Sequence, residues 1–275
     1  MRIGIIGIGN MGRILAEAFI GSGVVKEESL IAFNRTKSKA LALQKEFPGI
    51  RVCESAVEAA CLSDIVFICV KPLDIANLLK EIASYLSKDK CLVSITSPIS
   101  TNQLETLVGC SVIRAIPSIT NRAFAGVSLL TFGTNCDNQW KSIVESIMQK
   151  ISSPIKIEQP LVRVASDIVS CGPAFFSFIL QQFISAAVKE TGISSQMATD
   201  MASGMIVGMG ELLRQGHYTL PTLQEKVCVK GGITGEGIKV LEGGELEELF
   251  RELFRTTNAK FNEDLEKTVK QYTPH

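Results

Sequence analysis

The chain has 275 residues, 46% of them hydrophobic, and its 28 basic and 28 acidic residues cancel at neutral pH. This length allows one large domain or two modest ones. The balanced charge argues against a nucleic-acid-binding surface or a basic membrane-binding segment. The eight cysteines include no C-x-x-C pair, and there are only two histidines. We therefore expect reduced thiols, no bound metal and a cytoplasmic location.

Short β-branched runs alternate with helix-like segments over the first 157 residues. The predicted strands are Arg2–Ile6, Leu30–Phe33, Asp64–Val70, Cys91–Ile95, Val112–Ile116 and Val127–Phe132. Apolar residues recur at helical spacing in Met11–Ile20, Ser38–Phe47 and Ile75–Tyr85. This alternation is typical of βαβ units built on a parallel sheet.

Strand-like runs disappear after about residue 160. The predicted helices there are Arg163–Thr191, Ser195–Arg214 and Glu245–Lys270. Pro154 and Pro160 bracket a short connection between the two regions. The sequence thus predicts an α/β protein, with an N-terminal Rossmann-type parallel sheet in residues 1–158 and a C-terminal all-helical domain in residues 159–275. Arg13 and Glu17 interrupt the apolar start of the chain, and we expect no membrane span.

A glycine-rich hexapeptide follows the first predicted strand and opens the first predicted helix. It consists of Gly7, Ile8, Gly9, Asn10, Met11 and Gly12. The order of strand, G-x-G-x-x-G and helix is the context in which this motif binds a dinucleotide. The first glycine permits the tight turn, the second lets the backbone approach the pyrophosphate, and the third lets helix and sheet pack closely. The alternative is a purely structural turn.

The end of the second predicted strand indicates which dinucleotide binds. An NAD-selective site has an acidic residue here to bind the ribose 2′-hydroxyl. This chain has Asn34, Arg35 and Thr36 instead, followed by Lys37. A guanidinium is suited to a 2′-phosphate, so we predict NADP as cofactor, with NAD possible. Alternatively, the two cations are the solvated start of a helix.

Two further turns follow predicted strands and should lie at the same sheet edge. Val70, Lys71 and Pro72 follow the strand Asp64–Val70, and Thr96 follows Cys91–Ile95. Ligands of open α/β sheets bind outside the carboxyl ends of the strands. We predict that these residues line the cofactor, although each turn could equally be an ordinary βα connection.

The second half contains two motifs, SCGPAFF at Ser170–Phe176 and VCVKGGIT at Val227–Thr234. They resemble the Ser-Gly-Pro-Ala-Tyr/Phe stretch and the Gly-Gly-x-Thr loop of pyrroline-5-carboxylate reductases. The resemblance runs from the glycine hexapeptide through Arg114–Pro117 to a predicted helix at Gly237–Leu241, which is nearly the whole chain. The chain is similar more narrowly to the late-competence ComER branch of that family at Val70–Asp74, Ser94–Pro98 and Ile116–Asn121.

The resemblance implies NAD(P)H-dependent reduction of 1-pyrroline-5-carboxylate to proline, by hydride transfer to the cyclic imine. It also implies a Rossmann domain and a helical dimerisation domain, with the active site between one subunit's cofactor domain and the helical dimer. By the same resemblance, Gly231 and Gly232 bind the substrate carboxylate, Cys171 lies at the substrate, and Thr234 is the catalytic residue near the imine nitrogen. The expected partners are a small-molecule substrate and further copies of the chain, in a homodimer or higher homo-oligomer. Met197–Leu213 supports this because its apolar and small residues cover most of its faces.

Three departures from the family pattern leave a second function open. Val229-Lys230 replaces the usual Ser-Pro, Cys171 replaces a serine, and Ser118-Ile119-Thr120 replaces Asn-Thr-Pro. The alternative is a divergent paralogue that binds NADP(H) in a regulatory, competence-related role or reduces another imine. A third class, the β-hydroxyacid dehydrogenases, resembles this plan but carries a catalytic lysine in the second domain. The corresponding segment here, Asp167–Val188, contains no lysine.

Overall fold

The computed structural model describes residues 1–272, with side chains up to residue 268. The chain forms two compact units. The first comprises residues 1–173 together with the segment that begins at Thr257, and the second comprises residues 174–256. The domain boundary at Glu158 stays a prediction.

The first unit is built on an eight-stranded sheet. In chain order the strands are β1 (Ile3–Ile6), β2 (Leu30–Phe33), β3 (Arg51–Val52), β4 (Ile65–Ile68), β5 (Cys91–Ser94), β6 (Ser111–Ile116), β7 (Val127–Phe132) and β8 (Ser153–Lys156). Their order in the sheet is β3-β2-β1-β4-β5-β6-β7-β8, and every neighbouring pair is parallel except β6 and β7. The predicted mixed α/β class with an N-terminal, mostly parallel sheet is confirmed.

Helices cover both faces of this sheet. They are α1 (Asn10–Gly21), α2 (Lys37–Glu46), α3 (Ala56–Leu62), α4 (Pro72–Ile82), α5 (Thr101–Glu105) and α6 (Asn138–Gln149). One apolar core contains Leu15 and Phe19 of α1, and the other contains Ile75 and Leu79 of α4. Since both faces are covered, the residues of β4 are buried without alternation, as expected for a central parallel strand.

The remaining elements are helical. They are α7 (Val162–Ser166), a π-helical turn (Asp167–Cys171), α8 (Gly172–Thr191), α9 (Ser195–Arg214), α10 (Leu220–Val227), α11 (Ile233–Glu242) and α12 (Leu246–Tyr272). Among residues 174–256, all of which the structure describes, only Ala198 and Ala202 are buried. This unit therefore has almost no apolar core within one chain.

One helical run has the length and composition of a membrane span. The run Gln159–Thr191 is long and apolar enough to cross a bilayer by those two criteria, whereas no membrane span was expected from the sequence. Little of its most apolar stretch is buried within the chain. Its exposed side chains include Ile168, Phe176, Phe178 and Phe183. An exposed apolar surface of this kind marks an interaction site, either with lipid or with protein.

Candidate functional site: a dinucleotide loop and the neighbouring sheet edge

The predicted phosphate loop lies at the point where the sheet order reverses. β1 pairs with β2 on one side and β4 on the other, so the connections that follow these strands leave in opposite directions. Such a switch point opens a crevice outside the carboxyl ends of the strands. Gly7 enters the turn with φ +106°, and its amide donates to the Phe33 carbonyl over 2.8 Å. The loop is thereby held against the end of β2.

The three glycines of the loop have different surroundings. A Cβ on Gly12 would lie 1.9 Å from the Gly7 carbonyl oxygen, and one on Gly7 would lie 2.7 Å from the Cys69 backbone. A Cβ on Gly9 would meet nothing within 4 Å. Gly7 and Gly12 are therefore required for packing, whereas the bare backbone at Gly9 leaves open space. This is the space that a pyrophosphate needs for close approach.

The electrostatics of the loop suit an anion. Helix α1 begins at Asn10 with Gly9 as its N-cap, without a side-chain cap and without an acidic residue in its first turn. Its amides and the positive end of its dipole thus face the loop. Burial raises the pKa of the neighbouring Cys69 thiol, which stays neutral and adds no negative charge. The residues from Gly7 to Gly12 therefore fit a dinucleotide pyrophosphate.

Of the residues predicted to lie at the adenosine ribose, some are bonded within the protein and one is free to bind a ligand. The Asn34 side chain accepts from the Ile8 amide over 2.8 Å and donates to the Thr36 carbonyl over 2.9 Å. Lys37 pairs with Glu54, whereas the exposed Arg35 forms no ion pair with any described residue. Of the two cations, only Arg35 is unpaired and available for a 2′-phosphate.

The two other predicted turns lie at the same edge. Val70 is next to the loop, since a Cβ on Gly7 would come within 3.0 Å of its side chain. Lys71 is the N-cap of α4, and Pro72 is its first residue. Thr96 follows β5, with its hydroxyl 3.2 Å from that of Ser94. The structure therefore brings the predicted cofactor residues together at the carboxyl ends of four adjacent strands, β2, β1, β4 and β5.

The carboxyl end of β6 has contacts that the sequence did not predict. Ser170 donates from its hydroxyl to the Pro117 carbonyl over 2.8 Å, which joins the SCGPAFF motif to the end of the strand. Arg114 of β6 is completely buried. Burial lowers the pKa of Arg114 to about 10, so it remains a cation at neutral pH. The sequence signals for this site were an arginine within a mostly apolar strand and the resemblance of Arg114–Pro117 and of SCGPAFF to family motifs, but neither signal predicted these contacts.

The π-helical turn before Gly172 is held by a buried carboxylate. Asp167 forms an ion pair with Arg163 and accepts from the Thr257 hydroxyl over 2.7 Å. The Arg163 guanidinium also lies 3.6 Å from the Cys171 sulfur. Turns of this kind inside helices often occur at functional sites. Here the turn contains Ser170 and the predicted substrate residue Cys171.

The predicted substrate loop lies in the second unit, which is described by itself. Gly231 has φ +74°, and the Gly232 amide donates to the Val229 carbonyl over 2.9 Å. Helix α11 begins at Ile233, earlier than predicted, with Gly232 as its N-cap. Thr234 is the second residue of the helix and is exposed. It is therefore not the N-cap of this helix, a role that threonine often fills.

Comparison with known proteins identifies the family. Residues 159–264 match the model described as pyrroline-5-carboxylate reductase dimerisation, and residues 2–98 match the one described as NADP oxidoreductase, coenzyme F420-dependent. The chain is 53% identical to ComE operon protein 4 of Bacillus subtilis (strain 168) over 272 residues, 99% of each chain. It is 30% identical to the pyrroline-5-carboxylate reductase of Escherichia coli (strain K12), over 88% of this chain and 90% of that one. The chain belongs to the pyrroline-5-carboxylate reductase family.

Solved structures of the family have the same fold. A pyrroline-5-carboxylate reductase from Coxiella burnetii matches with a TM-score of 0.87 at 24% identity, over 95% of this chain and 97% of that one. The Plasmodium falciparum pyrroline carboxylate reductase, solved with NADP bound, matches with a TM-score of 0.80 at 24% identity, over 99% and 98%. The predicted family, its likeness to the ComER branch and the NADP oxidoreductase class are confirmed.

Proposed function

We propose that this member of the pyrroline-5-carboxylate reductase family binds NADPH and reduces 1-pyrroline-5-carboxylate to proline. The observation that carries the proposal is the glycine loop with open space at Gly9, together with the unpaired Arg35 just after the adjacent strand β2. Relatives named as this reductase support the substrate, including the Escherichia coli protein at 30% identity. NADPH, when bound, supplies the hydride that the reduction consumes.

The first unit provides the cofactor residues in this proposal. The backbone at Gly9 and the first amides of α1 bind the pyrophosphate, and Arg35 binds the 2′-phosphate. Val70, Lys71, Pro72 and Thr96 line the same edge of the sheet. Asn34 supports this arrangement indirectly, because it fixes the Ile8 amide within the loop.

The second unit provides the substrate residues in this proposal. Gly231 and Gly232 precede the N-terminus of α11, where backbone amides favour a carboxylate. The exposed Thr234 hydroxyl forms a hydrogen bond near the imine nitrogen. Cys171, the last residue of the π-helical turn Asp167–Cys171, is a further substrate residue in this proposal and belongs to the first unit. A protonated imine needs no strong acid or base, so orientation and polar contacts carry the catalysis.

We propose a homodimer or a higher homo-oligomer. Residues 174–256 bury only two alanines within one chain. Their exposed apolar side chains include Phe176, Phe178, Phe183, Met201 and Val207. A second copy that covers them explains this surface without lipid. The match of residues 159–264 to a dimerisation model supports a partner subunit over a membrane for the apolar run Gln159–Thr191.

The alternative is a paralogue that binds NADP(H) but has a regulatory, competence-related role or reduces another imine. It is supported by 53% identity to ComE operon protein 4, well above the 30% to the Escherichia coli reductase. It is also supported by Lys230, an exposed cation directly before the Gly231-Gly232 loop. A cytoplasmic location agrees with either function, since all eight cysteines are free thiols.

The test is oxidation of NADPH by 1-pyrroline-5-carboxylate, followed by NADPH absorbance and by proline formation. We expect the wild-type protein to give both signals. Gly9→Ala should lose both to the same extent, because the added methyl group occupies the space proposed for the pyrophosphate. NADPH binding without turnover would reject the reductase proposal and favour the alternative. Absence of NADPH binding would reject both.

A further inference from the structure

The side chain of Arg114 is a buried cation without a counter-ion. It is 0% exposed, and it forms no ion pair with any carboxylate in residues 1–268. Its Nε atom has no hydrogen-bond partner among those residues. A buried ion is costly unless it is paired, and an aliphatic residue would fill a core-facing position of β6 at lower cost. The charge and the forked shape of this side chain therefore call for a role besides packing.

The alternation of β6 places Arg114 between two apolar cores. Val112 belongs to the core that contains α4, and Ile116 belongs to a small cluster with Leu129 and Val162. Arg114 lies on the same face of the strand, between these two residues. It therefore stands where the sheet core meets the first turns of the helical run.

The guanidinium joins three separate segments through neutral oxygen atoms. One terminal nitrogen, Nη1, donates to the carbonyls of Ser97 and Ile99 over 3.2 and 3.3 Å. The other, Nη2, donates to the Thr131 hydroxyl over 3.0 Å and to the Gln159 side-chain oxygen over 2.8 Å. Ser97 and Ile99 follow Thr96 of the predicted cofactor edge. Gln159 is the first residue of the helical run.

The helical run is therefore fixed at two points against the end of β6. Gln159 is held by Arg114, and Ser170 is held by the Pro117 carbonyl. Cys171 and Gly172 directly follow the second of these contacts, and the whole segment from Gln159 to Gly172 lies in the first unit. A lysine ammonium has all of its donors on one nitrogen atom. It cannot donate to the loop after β5 and to Gln159 at once, as the two terminal nitrogens of the guanidinium do.

We infer that Arg114 is a positioning residue, which sets the Gln159–Cys171 segment against the loop Thr96–Ile99 and thereby aligns the substrate turn with the cofactor edge. The inference rests on the proposed reductase function. The competing explanation is that Arg114 only stabilises the fold. If Arg114 only stabilises the fold, loss of any one of its neutral acceptors should affect kcat to the same extent. If Arg114 is a positioning residue, loss of the Gln159 acceptor should affect kcat most, because Gln159 alone belongs to the helical run.

The test compares two near-isosteric variants that each remove an acceptor from the same Arg114 nitrogen, Gln159→Met and the control Thr131→Val. The control is the stricter of the two, because it also removes the hydrogen bond that the Thr131 hydroxyl donates to the Ile157 carbonyl. We expect Gln159→Met to lower kcat about tenfold, because misplacement of the reacting groups lowers the rate of reaction by this factor or more. The Kd for NADPH should not change. Thr131→Val should keep wild-type kcat. A larger isotope effect with 4-deuterated NADPH should accompany the loss in Gln159→Met, since hydride transfer then limits turnover. Arg114→Lys should resemble Gln159→Met.

Amide hydrogen exchange provides a readout that does not depend on the substrate. Peptides covering residues 159–171 should exchange faster in Gln159→Met and at the wild-type rate in Thr131→Val. Unchanged exchange in Gln159→Met, or equal losses of kcat in both variants, overturns the inference. If the wild-type protein does not reduce the pyrroline, the proposed function fails, and the exchange experiment by itself then decides whether Arg114 holds this segment.

Discussion

Substitution of two glycines in the phosphate loop should give opposite results. At Gly9 the backbone has φ −85°, which an alanine adopts without strain, and a Cβ meets nothing within 4 Å. Gly9→Ala should therefore leave the free protein as stable as wild type, or raise its stability by about 0.4 to 1 kcal/mol by restricting the unfolded chain. The methyl group nevertheless occupies the space proposed for the pyrophosphate. NADPH affinity should fall at least about tenfold, or roughly 1.4 kcal/mol.

At Gly12 the added methyl group would collide with the Gly7 carbonyl oxygen at 1.9 Å and press on the Cys69 side chain at 3.1 Å. Neither the backbone oxygen nor the buried thiol can move away freely. Overpacking of this kind costs about 1 to 3 kcal/mol. Gly12→Ala should thus lower the Tm of the free protein by roughly 2 to 10 °C for a chain of this size, and it should weaken cofactor binding as a consequence.

Thermal unfolding of the free protein and titration with NADPH, monitored by nicotinamide fluorescence, separate these effects. Gly23→Ala is unsuitable as a control because Gly23 has φ +72°. Gly109→Ala is suitable, since a Cβ there meets nothing within 4 Å, φ is not in the left-handed region, and the site lies away from the loop. If Gly9→Ala binds NADPH as tightly as Gly109→Ala, the space at Gly9 is not the site of the pyrophosphate.

Three further predictions concern cofactor choice, the substrate side chain and assembly. Arg35→Ala should weaken NADPH binding about ten- to a hundredfold, through loss of charge-assisted hydrogen bonds, and leave NADH binding unchanged; equal losses in a titration with both cofactors would exclude a 2′-phosphate contact. Thr234→Ala should lower kcat/KM roughly ten- to a hundredfold by removal of one preorganised hydrogen bond, while Thr234→Ser retains most activity. Because Gly232 is the N-cap of α11, the Tm should not change in either variant, and a lower Tm with unaltered kcat/KM would make Thr234 structural. Light scattering at micromolar concentration should give a dimer or larger species, because residues 174–256 lack a core of their own, and a monomer that keeps its helical content would contradict this.

Features that depend on local chemistry could be predicted from the sequence. β2 and β7 begin and end where their β-branched and apolar runs begin and end, at Leu30–Phe33 and Val127–Phe132. The glycine hexapeptide was recognisable because Gly7 and Gly12 allow the tight turn and the close packing of the loop, whereas Gly9 leaves space for a ligand. The helical second half was predictable from apolar spacing, although α10 was missed and α11 was predicted only over Gly237–Leu241, since short helices carry few periodic positions.

Only the tertiary structure decided the features that depend on distant neighbours. β3 (Arg51–Val52) and β8 (Ser153–Lys156) have no apolar pattern, and each becomes a strand because an adjacent strand supplies its hydrogen-bond partners. β7 is antiparallel to β6 because it follows a short connection and not a helical crossover. The sequence shows Arg114 as an unusual cation within an apolar run and as the start of a stretch that resembles the family, but it does not show what the side chain contacts. Its partners lie 15 to 45 residues away along the chain, and only the folded arrangement of β6, β7 and the helical run brings them to one guanidinium.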